Sequence, residues 1–336
     1  MSQSTNIETP WSHWHNQLHK ALKIKPHLLP SEASLLLSVS GGQDSMALLK
    51  LIADLRRLYK WEIHIWHGNH GWHRDSEKIA KELESWCLSH SFSFTCQSAS
   101  KEQVKNEESS RQWRYESLAL TANKLFNKKN NCSYKYVLTG HTASDQAETF
   151  IFNLARGTYL SGLSSLRESR ILEDSIKLIR PLLIFTRKET AEICKDLNLP
   201  IWIDPTNSDL TLSRNRIREK VIPILEEIHP GSCKRIASLT ERISHIKENE
   251  DCLIDLALGK INVGEKISRI SIKKLPFQTR VIIIAKWLRI SGAPTISASQ
   301  LEEISNLIKE NMPSGERKLS KGWIIKWDKN SIELVK

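Results

Sequence analysis

The chain has 336 residues, 26% charged and 40% hydrophobic, with a formal net charge of +11 and a pI near 9.3. This length holds two or three domains with a sizeable buried core, and the composition excludes a fibrous or disordered class. The longest apolar runs, SLLLSV and RVIIIAKWL, are far short of the roughly 20 residues a membrane span needs, and MSQSTNIETPWSHW has neither a basic leader nor an apolar core, so a cytoplasmic protein without a membrane partner is expected.

The first predicted strand, LLLSV, runs into SGGQDS and then the helical pattern SMALLKLIADLRRLYK. WEIHIW, FSFTC, YKYVLTG and IKLIRPLL are further strands, separated by helical stretches such as SEKIAKELESWCLSH, and NKKNNCS reads as an exposed loop. Strands alternating with helices of this length predict an α/β domain whose parallel sheet is covered on both faces. From about Leu212, RNRIREKVIPILEEIHP and SCKRIASLTERISHIKENEDCLIDLAL are helical without intervening strands. Beyond Ile267, RVIIIAKWLRISG and SASQLEEISNLIKE predict helices, and RKLSKGWIIKWDKNSIELVK a hairpin turning at Asp328 to Asn330. The expected organisation is a nucleotide-binding domain over 1–215, a helical connector over 216–266 and a small α+β domain over 267–336.

Charge and cysteines narrow the function. Residues 1–210 carry 26 Lys+Arg against 23 Asp+Glu, a net +3, whereas residues 211–336 carry 23 against 15, a net +8. A basic C-terminal part favours a polyanionic partner. The six cysteines (Cys87, Cys96, Cys132, Cys194, Cys233, Cys252) include no CxxC and no metal-ligand spacing, which argues against a zinc site or a disulfide framework.

SGGQDS carries the chemistry. In open parallel sheets, ligands bind beyond the carboxyl ends of the strands, and a glycine-rich turn opening a helix offers backbone N–H groups to an anion. Gly41 and Gly42 let the backbone approach a phosphate, with Ser40, Gln43 and Ser45 around it; the hydroxyls of Ser40 and Ser45 are expected to donate to it. Neither GxxxxGK[ST] nor GxGxxG is present. Asp44 repels a polyphosphate unless a cation lies between them, which points to Mg²⁺ held by Asp44; capping of a helix starting near Ser45 is the other use of that carboxylate. Asp145 and Glu148, three apart near the start of the helix SDQAETFIFNLARG with Ser144 as the expected N-cap, are predicted to face the same crevice, although acids in a first turn also complement the macrodipole.

SGGQDS after a strand resembles the SGGxDS pyrophosphate loop of the PP-loop ATP pyrophosphatase family. HGNHGWHRDS (67–76), SSRQWRY (109–115), TGHTASDQAETFIFNLARG (139–157), RPLL (180–183), DPTN (204–207) and RNRIR (214–218) follow in the order of the family's tRNA(Ile)-lysidine synthetase branch. The resemblance spans about Ser34 to Leu225 and, more weakly, the unit from Ile267; Thr142 stands where the branch usually has a second histidine and Ser144 where it often has a first aspartate. It implies that ATP activates carbon 2 of the wobble cytidine in an isoleucine tRNA with a CAU anticodon. L-lysine then displaces AMP. Asp44, Asp145 and Glu148 are the implied catalytic residues, the last two serving as counter-charge or general base for the lysine amine. His67 and His141 join the loop at the nucleotide, while His70, Arg111, Arg114, Arg156, Arg214 and Arg218 are expected to contact lysine or tRNA. Monomer and homodimer both remain open. Two rivals are a tRNA thiolase of the same family, disfavoured by the missing CxxC, and a non-catalytic nucleic-acid-binding protein with a degenerate nucleotide fold.

Overall fold

The computed structural model describes residues 11–71, 74–127, 132–158, 160–164, 166–202, 213–263, 265–294, 296–309 and 312–336. The DPTN segment, Trp72 and His73, and residues 128–131 of the polar loop lie outside the described residues. The chain divides into two compact units, Met1–Ser244 and His245–Lys336.

In chain order the first unit contains α1 (His13–Ile24), β1 (Ser34–Ser38), α2 (Gln43–Tyr59), β2 (Glu62–Asn69), α3 (Ser76–Ser89), β3 (Ser93–Ser98) and α4 (Glu107–Lys124). A two-residue pair, β4 (Phe126–Asn127) and β5 (Cys132–Ser133), precedes β6 (Tyr136–Thr139), α5 (Ala143–Ala155), the short α6 (Leu160–Leu163), β7 (Ser169–Glu173) and β8 (Ile176–Ile179). A 3₁₀ turn over Pro181–Ile184 then leads to α7 (Arg187–Asp196), and α8 (Ser213–Arg216), a π-helical turn (Ile217–Val221) and α9 (Ile222–Ile228) follow.

The main sheet has the order β3-β2-β1-β6-β8-β7, parallel throughout except that β7 pairs antiparallel with β8 at one edge. β1 lies in the middle, and Leu35, Leu36 and Leu37 have no exposed surface. Because side chains alternate across a strand, Leu35 and Leu37 enter the cluster containing α1, α2 and Phe185, while Leu36 enters the one containing Trp66, Trp113 and Leu118 of α4. The uninterrupted apolar run of β1 is therefore the signature of a strand covered on both faces.

The structure differs from the expected elements at three places. The predicted strand IKLIRPLL stops at Ile179, because Pro181 cannot donate to the ladder and opens the 3₁₀ turn instead. RNRIREKVIPILEEIHP is not one regular helix: Pro223 also lacks the N–H an α-helix would use, and the backbone widens into the π turn before it. α1 has no counterpart among the predicted elements, although Ser12 and His15 form its capping box and Trp14, Leu18 and Leu22 bury its inner face.

In the second unit, α10 (Ser232–Ile261), which begins in the first unit, leads to β9 (Asn262–Val263), β10 (Lys266–Ser268), α11 (Arg269–Ile272), α12 (Phe277–Ile290) and α13 (Ala298–Ile308). β11 (Gly315–Lys318), β12 (Ile324–Trp327) and β13 (Ser331–Val335) complete an antiparallel sheet of order β11-β12-β13-β10-β9. The expected hairpin is present, with the Asp328 carboxylate accepting from the N–H groups of Asn330 and Ser331 at the turn. Ile267, Ile284, Ile304, Ile308, Ile325 and Ile332 form a separate core. Two of the unit's arginines serve the fold rather than a polyanion. Arg269 donates to the carbonyls of Ile308, Asp328 and Met312, and Arg280 to that of Leu275.

Candidate functional site

From β1 the chain moves outward to β2 and β3, then returns to place β6 on the opposite side of β1. The crevice beyond the ends of β1 and β6 is thus the switch point at which doubly wound sheets bind ligands. The loop 40–42 and the N-terminus of α2 lie at one side, and residues 140–142 with the N-terminus of α5 at the other.

Ser45 closes the first loop on itself. Its hydroxyl accepts from the N–H groups of Ser40 (3.2 Å) and Gly41 (3.1 Å) and donates to the Gly42 carbonyl (2.8 Å). Ser45 is therefore the former of the turn, its single hydrogen already engaged. Gly41 has φ +90°, and a Cβ there would lie 3.3 Å from the Trp202 ring, so both backbone and space demand glycine. α2 starts at Gln43, two residues before the expected Ser45, with Gly42 as an N-cap that supplies no side-chain hydrogen bond. The N–H groups of its first turn have no intrahelical acceptors, and they sit at the positive end of the helix dipole.

The opposite loop comes very close. A Cβ on Gly140 would lie 2.9 Å from the carbonyl carbon and oxygen of Asp44 and 3.1 Å from the Ser45 nitrogen, so the β6–α5 connection packs directly on the first turn of α2. Thr142, not Ser144, is the N-cap of α5. The Asp145 carboxylate returns the bond, its Oδ2 accepting from both the N–H and the hydroxyl of Thr142 at 2.8 Å. Asp145 thus does complete a capping box, yet its Oδ1 still points towards arginines of other elements.

Those arginines organise the site. Arg187, at the start of α7, places one nitrogen 3.2 Å from Asp44 Oδ2 and 3.5 Å from Asp145 Oδ1, so a single cationic group bridges the two acids. The Ser144 hydroxyl accepts the Arg187 backbone N–H (3.1 Å), and the Gln43 side chain donates to the Arg187 carbonyl (2.8 Å). Thr190 donates to the other Asp44 oxygen. Arg218, from the π turn, forms a two-pronged pair with Glu148, both contacts 2.8 Å, and lies 3.7 Å from Asp145. Glu148 is 1% exposed.

Burial raises the Asp44 carboxyl above its usual range, opposed by the Arg187 guanidinium and reinforced by Asp145 nearby. Burial pushes Asp145 upward too, but Arg187, His141 and the Thr142 bonds outweigh it and the group stays below its ordinary value. The two acids are thus held in different states of readiness. Burial, then the charge of Arg180, lowers His141 to about 3, so this imidazole is neutral; its Nδ1 contacts the Thr139 hydroxyl at 2.9 Å. His67 is also lowered by burial, and its Nδ1 lies 2.8 Å from the Val39 carbonyl. A carbonyl only accepts, so the proton is on Nδ1 and Nε2 remains an acceptor.

Not every predicted residue converges. Arg114 donates to His70 Nε2 (3.2 Å), and Arg111 stacks over Tyr115 at 5.5 Å, beside Arg170 on the same ring at 4.7 Å. Arg214 donates to Thr149 (2.7 Å), one turn beyond Asp145 on α5. Arg156 follows the last turn of α5, roughly 16 Å along the axis from Asp145, and lies over Phe152. Arg187, Thr190, Arg180 and Tyr115 were absent from the predicted set. The T-x-x-E of Thr186 and Glu189 announces α7 and places Arg187 at its first position, a local signal for the helix start but not for the long-range contacts Arg187 makes.

Comparison with known proteins agrees with this geometry. The PP-loop domain family matches residues 12–225. A tRNA(Ile)-lysidine synthase of Prochlorococcus marinus is 51% identical over the whole of both chains, and one of Parasynechococcus marenigrum is 40% identical over 99% of this chain and 98% of that one. A U34-tRNA thiolase from Methanococcus maripaludis, solved with its [4Fe-4S] cluster, superposes with a TM-score of 0.57 over 69% of this chain and 78% of that one, at 19% identity, a likeness of fold alone. With a glycine turn at the switch point, carboxylates linked beside it through Arg187 and Arg218, and relatives matched over nearly the whole chain, this chain belongs to the tRNA(Ile)-lysidine synthase family of PP-loop proteins.

Proposed function

We propose that the chain ligates L-lysine to carbon 2 of the wobble cytidine of isoleucine tRNA with a CAU anticodon, through an adenylated base, releasing AMP and pyrophosphate. The observation that carries this reading is the set of three carboxylates, Asp44, Asp145 and Glu148, linked to one another through Arg187 and Arg218 next to the 40–42 loop that Asp44 follows. Such a set repels a bare polyphosphate but suits a reaction that needs both a metal-bound nucleotide and a cationic amine.

The N–H groups opening α2 receive the departing diphosphate, and Gly41 keeps the backbone close enough for that contact. Asp44 and Asp145, already sharing one cation in Arg187, are a donor pair of the kind Mg²⁺ takes alongside substrate phosphates, and the ion would supply charge neutralisation at the nucleotide. Glu148 holds the lysine ammonium. Asp145 or Glu148 accepts the proton that must leave before the amine attacks. His67 offers its Nε2 as an acceptor next to the loop. The basic residues of the C-terminal part are the proposed tRNA contacts, Arg269 and Arg280 excepted.

Incubation with α-labelled ATP, lysine and unmodified tRNA tests the reading. Lysine-dependent AMP and a nucleoside heavier by lysine less water are expected; AMP release indifferent to lysine, or cleavage at the outer phosphate, overturns it. The thiolase alternative finds no support in the thiols. Burial pushes Cys87, Cys194 and Cys233 up to about 12, and no group of three metal-binding side chains occurs among the described residues. No described helix is long and apolar enough to cross a membrane.

A further inference from the structure

The turn at residues 40–42 is held from outside by Trp202, which follows α7 in the chain. The Trp202 backbone N–H donates to the Gly41 carbonyl at 3.0 Å. Its side chain lies against the same residue: a Cβ on Gly41 would stand 3.3 Å from the ring, 3.5 Å from Trp202 Cβ and 3.8 Å from Cγ2 of Ile79. The indole N–H then donates to the Glu82 carboxylate of α3 at 2.7 Å. One half-buried residue therefore grips Gly41 by backbone and ring, and is itself tethered to a different helix.

The carbonyl that Trp202 holds shares a peptide plane with the Gly42 N–H, and in a trans peptide these two groups point in opposite directions. Fixing the one aims the other. Glycine flanks this plane on both sides, with Gly41 at φ +90°, so side-chain sterics give little resistance to the plane turning over. Ser45 Oγ takes the N–H groups of Ser40 and Gly41, but the Gly42 N–H reaches only Ser40 Oγ, at 3.4 Å, beyond the ordinary range of a strong bond. It is also the N–H that immediately precedes those of the first turn of α2. A phosphate oxygen seated on that turn is the shorter, charge-assisted acceptor the Gly42 N–H lacks.

We propose that Trp202 is a positioning residue for the diphosphate, holding the Gly41–Gly42 peptide so that the Gly42 N–H faces the anion. This rests on the reading that the 40–42 turn receives the departing diphosphate. The donor is oriented before the charge arrives, so no reorganisation is needed when the diphosphate separates from AMP. A hydrogen bond to an ionised acceptor is worth about ten- to a hundredfold in affinity, and a plane turned over would set the Gly41 carbonyl oxygen against the phosphate instead.

Equilibrium binding of inorganic pyrophosphate and, separately, of AMP to the full chain in the presence of Mg²⁺ tests this. W202A is expected to bind pyrophosphate at least about tenfold more weakly than the unaltered protein, and AMP within about twofold of it. W202F keeps an aromatic ring against Gly41 and loses only the indole donor, so it should recover pyrophosphate binding to within about threefold. A merely structural role would lower both affinities together with the Tm. Because removing a tryptophan can weaken the fold, W202L, which refills the space without a flat ring or an indole donor, is the second variant, with the same split between the two ligands expected. Unchanged pyrophosphate affinity in W202A or W202L overturns the proposal, as does a parallel loss of AMP binding or a W202F that binds as weakly as W202A. If the unaltered protein itself fails to bind pyrophosphate, the assignment of the turn falls first; if it binds and only the variants disagree, the role of Trp202 alone falls.

Discussion

Replacing Gly140 with alanine is the sharpest test of how the two loops are assembled. The added methyl would stand 2.9 Å from the carbonyl carbon and oxygen of Asp44 and 3.1 Å from the Ser45 nitrogen. All three are backbone atoms in the first turn of α2, so no side chain can rotate aside. Ordinary carbon contacts need roughly 3.5 Å or more, which forces the β6–α5 connection and α2 apart by about half an ångström. Overpacking of this kind costs about 1–3 kcal/mol. For a unit of this size each kcal/mol lowers the Tm by about 2–4 °C, so a fall of roughly 2–12 °C is expected. Catalysis should suffer separately, because Asp44 and Asp145 sit on the two elements being separated and a displacement approaching 1 Å costs up to about a hundredfold in rate. Differential scanning calorimetry and initial rates of lysine-dependent AMP release measure the two effects. A variant that melts and turns over like the unaltered protein would refute the close packing on which the site description depends.

Gly259 offers the opposite outcome: it lies within α10, where an added methyl would meet nothing within 4 Å, so Gly259→Ala should stabilise by about 0.5–1 kcal/mol, seen as a higher Tm of the second unit's transition. Asp44→Ala should abolish AMP formation while leaving tRNA affinity in a filter-binding assay nearly unchanged; normal turnover would remove Asp44 from the nucleotide site. His141, lowered to about 3 in the fold against about 6.5 unfolded, binds fewer protons than the unfolded chain between those values. Stability from this group is complete above pH 6.5 and is lost as pH falls, by up to about 1.4 kcal/mol per unit, so His141→Gln should flatten the decline of Tm between pH 7 and 5. His64 and His67, also lowered by burial, keep the slope from vanishing. Of the five cysteines whose side chains the structure describes, only exposed Cys96 and Cys252 should react with a maleimide under native conditions, without loss of lysidine formation; mass analysis of the labelled chain gives the sites.

The elements that the sequence made legible are those whose pattern follows from local rules. Leu35 to Leu37 read as a two-sided strand because no polar residue interrupts them, and SGGQDS reads as an anion loop because glycine and a helix start have few other joint uses. Asp145 and Glu148 were legible by spacing. What escaped was long-range. Nothing local says that Arg187 would bridge Asp44 and Asp145, which lie far from it and from each other along the chain, or that Arg218 would meet Glu148 across 70 positions. The departures at Thr142 and Ser144 became intelligible only in three dimensions, one capping α5 and the other holding the Arg187 backbone. The π turn was hidden because the 217–228 stretch keeps an adequate helical periodicity around Pro223.

Gln43, the variable letter inside SGGQDS, has a consequence beyond its loop. Its amide joins the Arg187 carbonyl and the Thr190 hydroxyl (3.2 Å), and its own backbone carbonyl accepts from the Cys194 thiol (3.3 Å). The start of α2 is therefore tied at three points to the helix that carries Arg187, so a displacement of one is felt by the other. Among relatives, whatever replaces Gln43 should be inherited together with compensating changes at 190 and 194, as parts of one hinge-pin rather than three independent letters.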